Sequence, residues 1–404
     1  MKISPIPFLI LLVAIIVLGG AVFFYDNFKG VLLLIREPEN APADSTDAPT
    51  ETPNEQSGNQ TDFPLTLPAG FSISVFASDL PGARVIVPDS LGNFWVSQPS
   101  KGTVSLLSVK DGQVENHNPI FKNLNNSHGL AFDPEDPLVL YIAEEDKISK
   151  VRVYTEGTLE KIADLPSSGG HFTRTIGWGP DGKLYVSVGS SCNICVEDDF
   201  RRAKIFRLDK NGNNFEEFAS GLRNAVFFTW SAADNRMWAT EMGRDFLGDN
   251  LPPDEINLIE EGKDYGWPYC YGQQAADSAF TPAGTEKISC SMTEPARIDL
   301  PAHSAPLGLA FVPVTGWPAD YADDLLVAFH GSWNRSEPTG YKVVRFKLDA
   351  NGDYQSEEDF ITGWLADNGG SFGRPVDILI RPDGTMYLTD DKAGLVYEIT
   401  YQEN

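Results

Sequence analysis

The sequence has few basic residues for its length and almost no helical periodicity in its larger part. Its 404 residues include 31 Lys and Arg against 57 Asp and Glu, a net charge of −26. A surface that binds nucleic acid needs clustered basic side chains, so this balance argues against a nucleic-acid partner. After residue 62, apolar residues do not recur at every third or fourth position, which argues against a helical domain.

Only four cysteines are present, Cys192, Cys195, Cys270 and Cys290. The spacing of Cys192 and Cys195 also occurs in redox and zinc motifs, but no helix follows it and no second pair has metal-type spacing. We therefore favour a tight structural disulfide there and a second disulfide between Cys270 and Cys290. Of the three possible pairings this one strains the chain least, and the sequence leaves the other two open.

One long hydrophobic run is present, and it lies near the N-terminus. Residues 6–25 read IPFLILLVAIIVLGGAVFFY, twenty residues without a charge, which span about 30 Å as a helix. A cleaved signal peptide has a shorter apolar stretch followed by small residues, whereas this run ends in Val-Phe-Phe-Tyr. We interpret residues 1–26 as a transmembrane signal anchor, with a cleaved signal as the alternative. The rest of the chain is then periplasmic or extracellular.

Residues 27–62 have the composition of a linker. Between Glu37 and Thr61 there is no aromatic residue, and Pro, Thr, Asp and Glu dominate. Such a segment cannot bury enough apolar surface to fold, so we predict a disordered spacer. The folded domain is predicted to span residues 63–404.

A turn followed by a short apolar strand recurs six times after the linker. The first three occurrences are about 45 residues apart, a length typical of a four-stranded blade. The six are PDSLGNFWVS (88–97), DPEDPLVLYIAEE (133–145), GPDGKLYVSVGS (179–190), SAADNRMWATEMG (231–243), PADYADDLLVAFHG (318–331) and RPDGTMYLTDD (381–391). The pattern predicts an all-β, six-bladed β-propeller with a long insertion within residues 247–303. FSISVFAS (71–78) is predicted to complete the last blade.

Histidines and arginines recur next to these strands, where a propeller places side chains at the mouth of its channel. They lie in GGHFTRTIGWGPDG, SGLRNAVFFTW, AFHGSWNRSEPTGY and GRPVDI, and the candidates are His171, Arg223, Asn224, His330, Trp333, Arg335 and Arg374. Arginines at equivalent places in an acidic protein indicate an anionic ligand with several carboxylates or phosphates. The alternative for each of them is a structural histidine or an exposed salt bridge.

A loop rich in Asp, Asn and Gly, ATEMGRDFLGDNLPPDEINLI (239–259), offers many oxygen ligands on an irregular backbone. Such ligands suit Ca²⁺, although the spacing is not that of an EF-hand. An acidic loop without a metal is an equal alternative.

Several motifs occur in the order found in a known family. HFTRTIGWGPDGKLYVSVG, GLRN, DEINLI with YGWP, and PVTGW resemble the quinoprotein glucose/sorbosone dehydrogenases. AHSAPLGLAF and HGSWNR are most similar to its membrane-associated sorbosone- and pyranose-dehydrogenase-like branch. The resemblance covers roughly residues 64–402. It implies a six-bladed propeller with pyrroloquinoline quinone (PQQ) on the channel axis and Ca²⁺ bridging the cofactor and the protein.

The resemblance also implies a role for individual residues. His171 matches the general base, Arg223 and Asn224 match a pair that contacts the quinone, and Arg374 matches an arginine that meets a PQQ carboxylate. Gly243 and Arg244 match positions whose main-chain carbonyls hold Ca²⁺. His330, Trp333 and Arg335 stand where the soluble glucose enzymes have a lysine, and we assign them to the cofactor. His128 falls near a cofactor-contacting glutamine.

The implied function is PQQ-dependent oxidation of a sugar or aldose-type substrate. His171 takes the hydroxyl proton, hydride passes to PQQ, and Ca²⁺ polarises the quinone. No C-x-x-C-H haem motif is present, so electrons pass to an external acceptor, a quinone or a cytochrome. One alternative is a calcium-dependent sugar lactonase, which needs a carboxylate-rich metal site and no arginine cluster. The other is a non-catalytic cell-surface binding propeller.

Overall fold

The regular secondary structure of the described residues consists almost entirely of short antiparallel strands. The computed structural model describes residues 58–280 and 289–403. Twenty-four strands of this part form six four-stranded sheets, which we call blades 1 to 6, and two more form a small hairpin. The predicted all-β propeller with six blades is therefore confirmed.

The strands follow one another along the chain from β1 (Phe71–Ala77), which belongs to blade 6. Blade 1 contains β2 (Ile86–Pro88), β3 (Phe94–Gln98), β4 (Thr103–Lys110) and β5 (Gln113–Phe121). Blade 2 contains β6 (Leu130–Phe132), β7 (Val139–Ala143), β8 (Lys147–Arg152) and β9 (Glu160–Asp164). Blade 3 contains β10 (Ile176–Trp178), β11 (Leu184–Val188), β12 (Lys204–Leu208) and β13 (Glu216–Ser220).

The second half of the propeller has the same plan, with an addition in blade 4. Blade 4 contains β14 (Ala225–Trp230), β15 (Met237–Glu241), β16 (Asp254–Ile259) and β19 (Ile298–Leu300), and the added hairpin is β17 (Cys270–Tyr271) with β18 (Ala275–Ala276). Blade 5 contains β20 (Pro306–Phe311), β21 (Leu325–Phe329), β22 (Lys342–Leu348) and β23 (Tyr354–Ile361). Blade 6 contains β24 (Pro375–Ile380), β25 (Met386–Asp390), β26 (Leu395–Tyr401) and β1. Three short 3₁₀ helices span Pro99–Lys101, Cys290–Met292 and Ala319–Tyr321.

The recurring sequence pattern marks the second strand of each blade. Every residue is buried in five of these strands, β3, β11, β15, β21 and β25. Both faces of such a strand are covered by neighbouring blades, so its residues are apolar in a continuous run rather than alternately. That continuous run explains why the repeat was visible in the sequence.

The ring is closed by the two ends of the folded domain. β1 pairs antiparallel with β26, with Phe71 opposite Tyr401 and Ile73 opposite Ile399. The ring of Phe71 also packs edge-on against Trp317 of the preceding blade. The prediction that FSISVFAS completes the last blade is therefore confirmed.

The insertion lies in blade 4, between β16 and β19, within the predicted range. A disulfide joins Cys270 to Cys290 across it, and a second joins Cys192 to Cys195 in the loop between β11 and β12. The structure thus has the cysteine pairing that we favoured.

Residues next to the predicted domain boundary contact the propeller. Residues 58–62, which we assigned to the linker, pair with the propeller, because Asn59 bridges to Ile73 and its side chain donates to the carbonyl oxygen of Phe63. No helix within residues 58–280 and 289–403 is long and apolar enough to cross a membrane. The predicted anchor, residues 1–26, and the linker up to residue 57 lie outside the described residues.

Candidate active site

The predicted site residues lie in loops at one end of the propeller. These loops either enter the first strand of a blade or join its second strand to its third, and in an antiparallel sheet both kinds lie at the same edge. His171 comes before β10, Arg223 and Asn224 come directly before β14, and Arg374 comes directly before β24. His330 follows β21 at once.

His171, Arg223 and Asn224 are brought together around the end of β11. The Ser190 N–H donates to the carbonyl oxygen of Arg223 at 2.7 Å, and the His171 N–H donates to that of Ser190 at 3.0 Å. A Cβ atom on Gly189 would lie 2.7 Å from both Asn224 Oδ1 and the Cβ of His171. Only glycine permits this close approach, so the Gly at position 189 is needed to place the two side chains side by side.

The contacts of His171 determine which of its ring nitrogens is free. Nδ1 lies 3.1 Å from the carbonyl oxygen of Ser190, an atom that can only accept a hydrogen bond. Nδ1 therefore carries the hydrogen, and Nε2 has an available lone pair. This is the tautomer that a general base at Nε2 requires.

Burial and nearby cations lower the pKa of His171 to about 3, with Arg223 the largest of the charged causes. The pKa of an unperturbed histidine is about 6.5, so this is a large shift. The reason is tertiary, because Arg174 and Arg202 also lie close to the imidazole and disfavour its charged form.

Arg174 and Arg202 are buried beneath His171. Arg174 donates to the carbonyl oxygens of His171, Thr173 and Pro166 at 2.6–2.9 Å. Arg202 donates to that of Ser168 at 3.0 Å. Neither arginine forms an ion pair with a carboxylate of the described residues. No carboxylate in direct contact therefore neutralises the charge of either arginine.

Arg223 connects two loops of the site. It donates through Nε and Nη2 to the carbonyl oxygen and Oδ1 of Asn193, both at 2.9 Å, and through Nη1 to the carbonyl oxygen of Met242 at 3.2 Å. Its neighbour Asn224 donates its backbone N–H to Glu241 at 2.8 Å.

A second cluster lies at the junction of blades 5, 6 and 1. Arg374 Nη1 lies 3.3 Å from Nδ1 of His330, and Arg374 Nη2 donates to the Tyr341 hydroxyl at 3.1 Å. Because Arg374 can only donate, His330 carries its hydrogen on Nε2 and donates to Asp391 at 2.9 Å. Arg84 donates to the other oxygen of Asp391 at 2.8 Å.

Three histidines in these loops have lowered pKa values. Burial lowers the pKa of His128 and of His330, and for both the cation Arg84 adds to the effect. The charge of Arg174 also contributes to the lowered pKa of His128, so this histidine lies between the two clusters. Its Nε2 is buried without a hydrogen-bond partner among the described residues. Asp391 opposes the lowering at His330, and the positive charge at this end of the channel is that of Arg84, Arg174, Arg202, Arg223 and Arg374.

An acidic region borders this positive one on blade 4. A small cavity of about 20 Å³ is lined by Arg223, Glu241, Gly243, Arg244, Glu255 and Asp277, among others. Burial raises the pKa of Glu255 to about 7, and burial together with the neighbouring Glu255 raises that of Glu241.

The predicted metal positions lie at the edge of this cavity. Asp254 accepts the N–H of Gly243 at 2.9 Å, and Asp277 accepts a hydrogen bond from the Arg244 side chain at 3.0 Å. The carbonyl oxygens of Gly243 and Arg244 accept no hydrogen bond from any residue of the described part. These two oxygens are therefore free to contact a cation, which fits a hard ion such as Ca²⁺.

Trp333 and Arg335 lie further out than the other candidates. Arg335 donates to the carbonyl oxygen of Ala302 at 3.1 Å and to Asn250 Oδ1 at 3.0 Å, so it fastens the loop of residues 242–253. Trp333 is 57% exposed and meets Phe246 edge-on. The structure thus joins His330 with Arg374 and places the other two at the rim.

The chain is similar to one protein family and to several individual proteins. The sequence profile of a family described as TrAA12-like matches residues 65–402. The chain belongs to the TrAA12-like family. Among relatives of this TrAA12-like chain, an uncharacterized protein of Borreliella burgdorferi is 32% identical, over 84% of this chain and 91% of that protein. The predicted resemblance to quinoprotein sugar dehydrogenases is confirmed by a pyrroloquinoline quinone-dependent pyranose dehydrogenase of Coprinopsis cinerea, which is 26% identical. That match covers 83% of this chain but only 54% of the relative.

Solved structures share the fold of this TrAA12-like chain. The Trichoderma reesei enzyme of carbohydrate-active enzyme family AA12, solved in a calcium form, is 20% identical with a TM-score of 0.72, over 85% of this chain and 98% of that one. The PQQ domain of the Coprinopsis cinerea pyranose dehydrogenase in its holo form is 22% identical with a TM-score of 0.70, over 85% and 98%.

Sequence reasoning missed several residues of the site. Arg84, Arg174, Arg202, Ser190 and Asp391 all contact or influence the predicted residues. Arg174 lies within the motif that contains His171, and Arg84 precedes the first strand of blade 1 in the same way that Arg374 precedes that of blade 6. Equivalent position in the blade is the signal that could have identified Arg84.

Proposed function

We propose that the protein oxidises a sugar or aldose-type substrate with PQQ as the hydride acceptor and Ca²⁺ as its metal. The observation that carries this proposal is the set of arginines around His171 and His330, which an anionic ligand could pair with: Arg84, Arg174, Arg202, Arg223 and Arg374. PQQ has three carboxylates, and the Coprinopsis cinerea relative is PQQ-dependent. A lactonase is not favoured, because it needs no arginine cluster.

Arg374 and Arg84 are the side chains proposed to bind the carboxylates, with His330 held between Arg374 and Asp391. The two carbonyl oxygens of Gly243 and Arg244 would hold Ca²⁺. When bound, PQQ supplies an electrophilic quinone that accepts two electrons. The site residues contribute binding, orientation and a proton acceptor.

His171 is proposed to take the proton from the substrate hydroxyl at Nε2. Its Nδ1–H is held by Ser190, so the ring cannot turn without losing that hydrogen bond. Asn224, beside it across Gly189, is available to contact the same ligand. Trp333 and Phe246 at the rim offer exposed aromatic faces to a sugar ring.

The direct test is dye reduction by the purified protein with PQQ, Ca²⁺ and a panel of aldoses. Activity with at least one aldose that depends on both additions is expected. If calorimetry shows no PQQ binding at saturating Ca²⁺, the dehydrogenase proposal fails and a binding propeller is the better account.

Arg374→Ala is expected to weaken PQQ binding by about 1.5–3 kcal/mol, because it removes a charge-assisted hydrogen bond. Excess PQQ should restore part of the activity. Calorimetry with PQQ measures the effect. Arg236→Ala is a matched control, since Arg236 pairs with Asp234 in a turn at the opposite end of its blade. Equal losses in both variants would contradict the assignment.

PQQ binding is expected to raise the pKa of His171 from its low value. Arginine cations now disfavour the imidazolium, and a bound carboxylate would offset their charge, so protonation becomes easier. NMR titration of selectively labelled histidine, with and without PQQ, measures the shift. A pKa that stays unchanged or falls on binding would argue against an anionic ligand beside His171.

Residues 1–26 are proposed to anchor the protein in a membrane, with the propeller and its two disulfides in an oxidising compartment. Full-length protein is expected in the membrane fraction and to resist extraction with high salt. A variant without residues 1–57 should be soluble and fully folded. Full-length protein found only as a shorter soluble form would show a cleaved signal instead.

A further inference from the structure

The loop between β11 and β12 contacts two of the proposed active-site residues from beneath. It runs over residues 189–203, and its first part, 189–195, contains Ser190, Asn193 and the Cys192–Cys195 disulfide. Ser190 contacts His171, and Asn193 contacts Arg223. Nothing in the motifs of the sequence predicted that one loop supports both.

The contact with His171 passes through a short hydrogen-bond chain. Ser190 Oγ donates to the carbonyl oxygen of Cys192 at 2.7 Å and lies 3.0 Å from Nδ1 of His171. Because the serine hydrogen is directed at Cys192, its lone pair faces the imidazole and accepts the Nδ1 hydrogen. The carbonyl of Cys192 therefore orients the hydroxyl so that Ser190 accepts the Nδ1 hydrogen through Oγ as well as through its carbonyl oxygen.

The contact with Arg223 is bidentate. The carbonyl oxygen of Asn193 accepts a hydrogen bond from Arg223 Nε, and Asn193 Oδ1 accepts one from Nη2, each at 2.9 Å. Asn193 Oδ1 also accepts the N–H of Asp245 at 2.8 Å, so the same amide fixes the start of the loop of residues 242–253. Two parallel hydrogen bonds fix the plane of a guanidinium as well as its position.

We propose that the Cys192–Cys195 disulfide loop is a positioning element of the active site, which aligns His171 through Ser190 and Arg223 through Asn193. The two sulfurs close a four-residue ring around Asn193, and this closure restricts the conformations open to its carbonyl and side chain. The idea rests on the proposed function for the role of the two aligned residues. The alignment itself is a property of the free protein.

The disulfide also makes the alignment sensitive to reduction. Both cysteines are partly exposed, so a dithiol can reach them. One thiolate of the dithiol attacks a sulfur of the bond and forms a mixed disulfide, and its second thiolate then releases the protein. The dithiol is oxidised to a disulfide. Cys192 and Cys195 take up the two electrons and two protons and become thiols.

Three variants and a control test the proposal in the full-length protein. C192S/C195S removes the ring closure, Asn193→Ala removes the side-chain acceptor without touching the disulfide, and Asn193→Asp keeps both acceptors for Arg223. C270S/C290S removes the other disulfide, and because Cys270 lines the same cavity as Arg223, this control is read on residues 169–175. Amide hydrogen exchange of residues 169–175 and 221–226 is measured without ligand, and the Kd for PQQ is measured by calorimetry with Ca²⁺.

In C192S/C195S, exchange of both segments is expected to rise about tenfold or more. In Asn193→Ala the rise should be confined to residues 221–226, because Ser190 still supports His171, and the Kd should rise about 10- to 100-fold in both variants. Asn193→Asp keeps the acceptors for Arg223 but loses the hydrogen bond that the amide donates to the carbonyl oxygen of Asp245, so exchange of residues 221–226 should lie between that of Asn193→Ala and the wild type. C270S/C290S should lower the melting temperature while exchange of residues 169–175 stays at the wild-type level. Titration of the wild type with a dithiol should reproduce the behaviour of C192S/C195S.

A purely structural disulfide predicts a different result. C192S/C195S would then melt earlier, while exchange of the two segments and the Kd for PQQ would match the wild type, and this would overturn the proposal. Unchanged exchange in Asn193→Ala would overturn it as well. If the wild type binds no PQQ, the proposed function fails, but the exchange data of the free protein still decide whether the loop aligns His171 and Arg223.

Discussion

His171→Gln is expected to lower the rate of sugar oxidation by about 10²–10⁴-fold while PQQ still binds. Glutamine is similar in size to histidine and polar, so Gly189 and Asn224 keep their packing, but its amide cannot accept a proton at neutral pH. The loss should appear in kcat, because the proton is transferred only as the substrate reacts. The reason for expecting a base at this position is the free Nε2 lone pair.

The same substitution at His117 is a matched control. His117 lies on β5, the outermost strand of blade 1, away from the channel. His117→Gln should have wild-type kinetics. His171→Gln with wild-type kcat, or with a large loss of PQQ affinity and normal kcat, would remove His171 from the role of base.

Chelation of Ca²⁺ is expected to abolish sugar oxidation in the wild type and in every variant. A divalent cation held by Gly243 and Arg244 would act as a Lewis acid on the quinone, and its removal would leave the quinone without that activation. Two carbonyl ligands are few for Ca²⁺, which takes six to eight oxygens, so water and ligand atoms would complete its shell. The bound ion should therefore be removable by dialysis.

The experiment is dialysis against a chelator, followed by addition of Ca²⁺ or Mg²⁺. Activity should return with Ca²⁺ and much less with Mg²⁺, since the smaller ion requires a tighter octahedral shell. Asp254→Asn offers a structural check. Asp254 accepts the N–H of Gly243 through Oδ1 and that of Ala305 through Oδ2, and an amide has only one oxygen to accept either, so this variant should weaken Ca²⁺ binding without removing a ligand. Full activity in protein shown to be free of calcium would refute the metal assignment.

The site could be predicted where the residue type and the blade position were both informative. His171, Arg223, Asn224 and Arg374 all lie in segments that lead into a first strand, and the structure places all of them in loops at the same end. Arg335 and Trp333 were grouped with His330 because they are close in sequence. The loop from 330 to 341 turns outward after His330, so Arg335 fastens a neighbouring loop and Trp333 lies at the rim.

The sequence by itself determined the number of blades and the end of the propeller that carries the site. Pro-Asp-Gly turns and continuous apolar runs are local features, and each blade repeats them because every second strand is covered on both faces. β1 could be assigned to the last blade for the same reason, since an open sheet edge needs a partner.

Only the tertiary structure decided the electrostatics and the supports of the site. Arg84 and Asp391 are 307 positions apart and meet because the ring closes between blades 6 and 1. The low pKa of His171 needs burial and three arginines from separate loops, and a pKa depends on distances that sequence order does not specify. Asn193 and Ser190 belong to a loop with no recognised motif, and their importance follows from which atoms they touch.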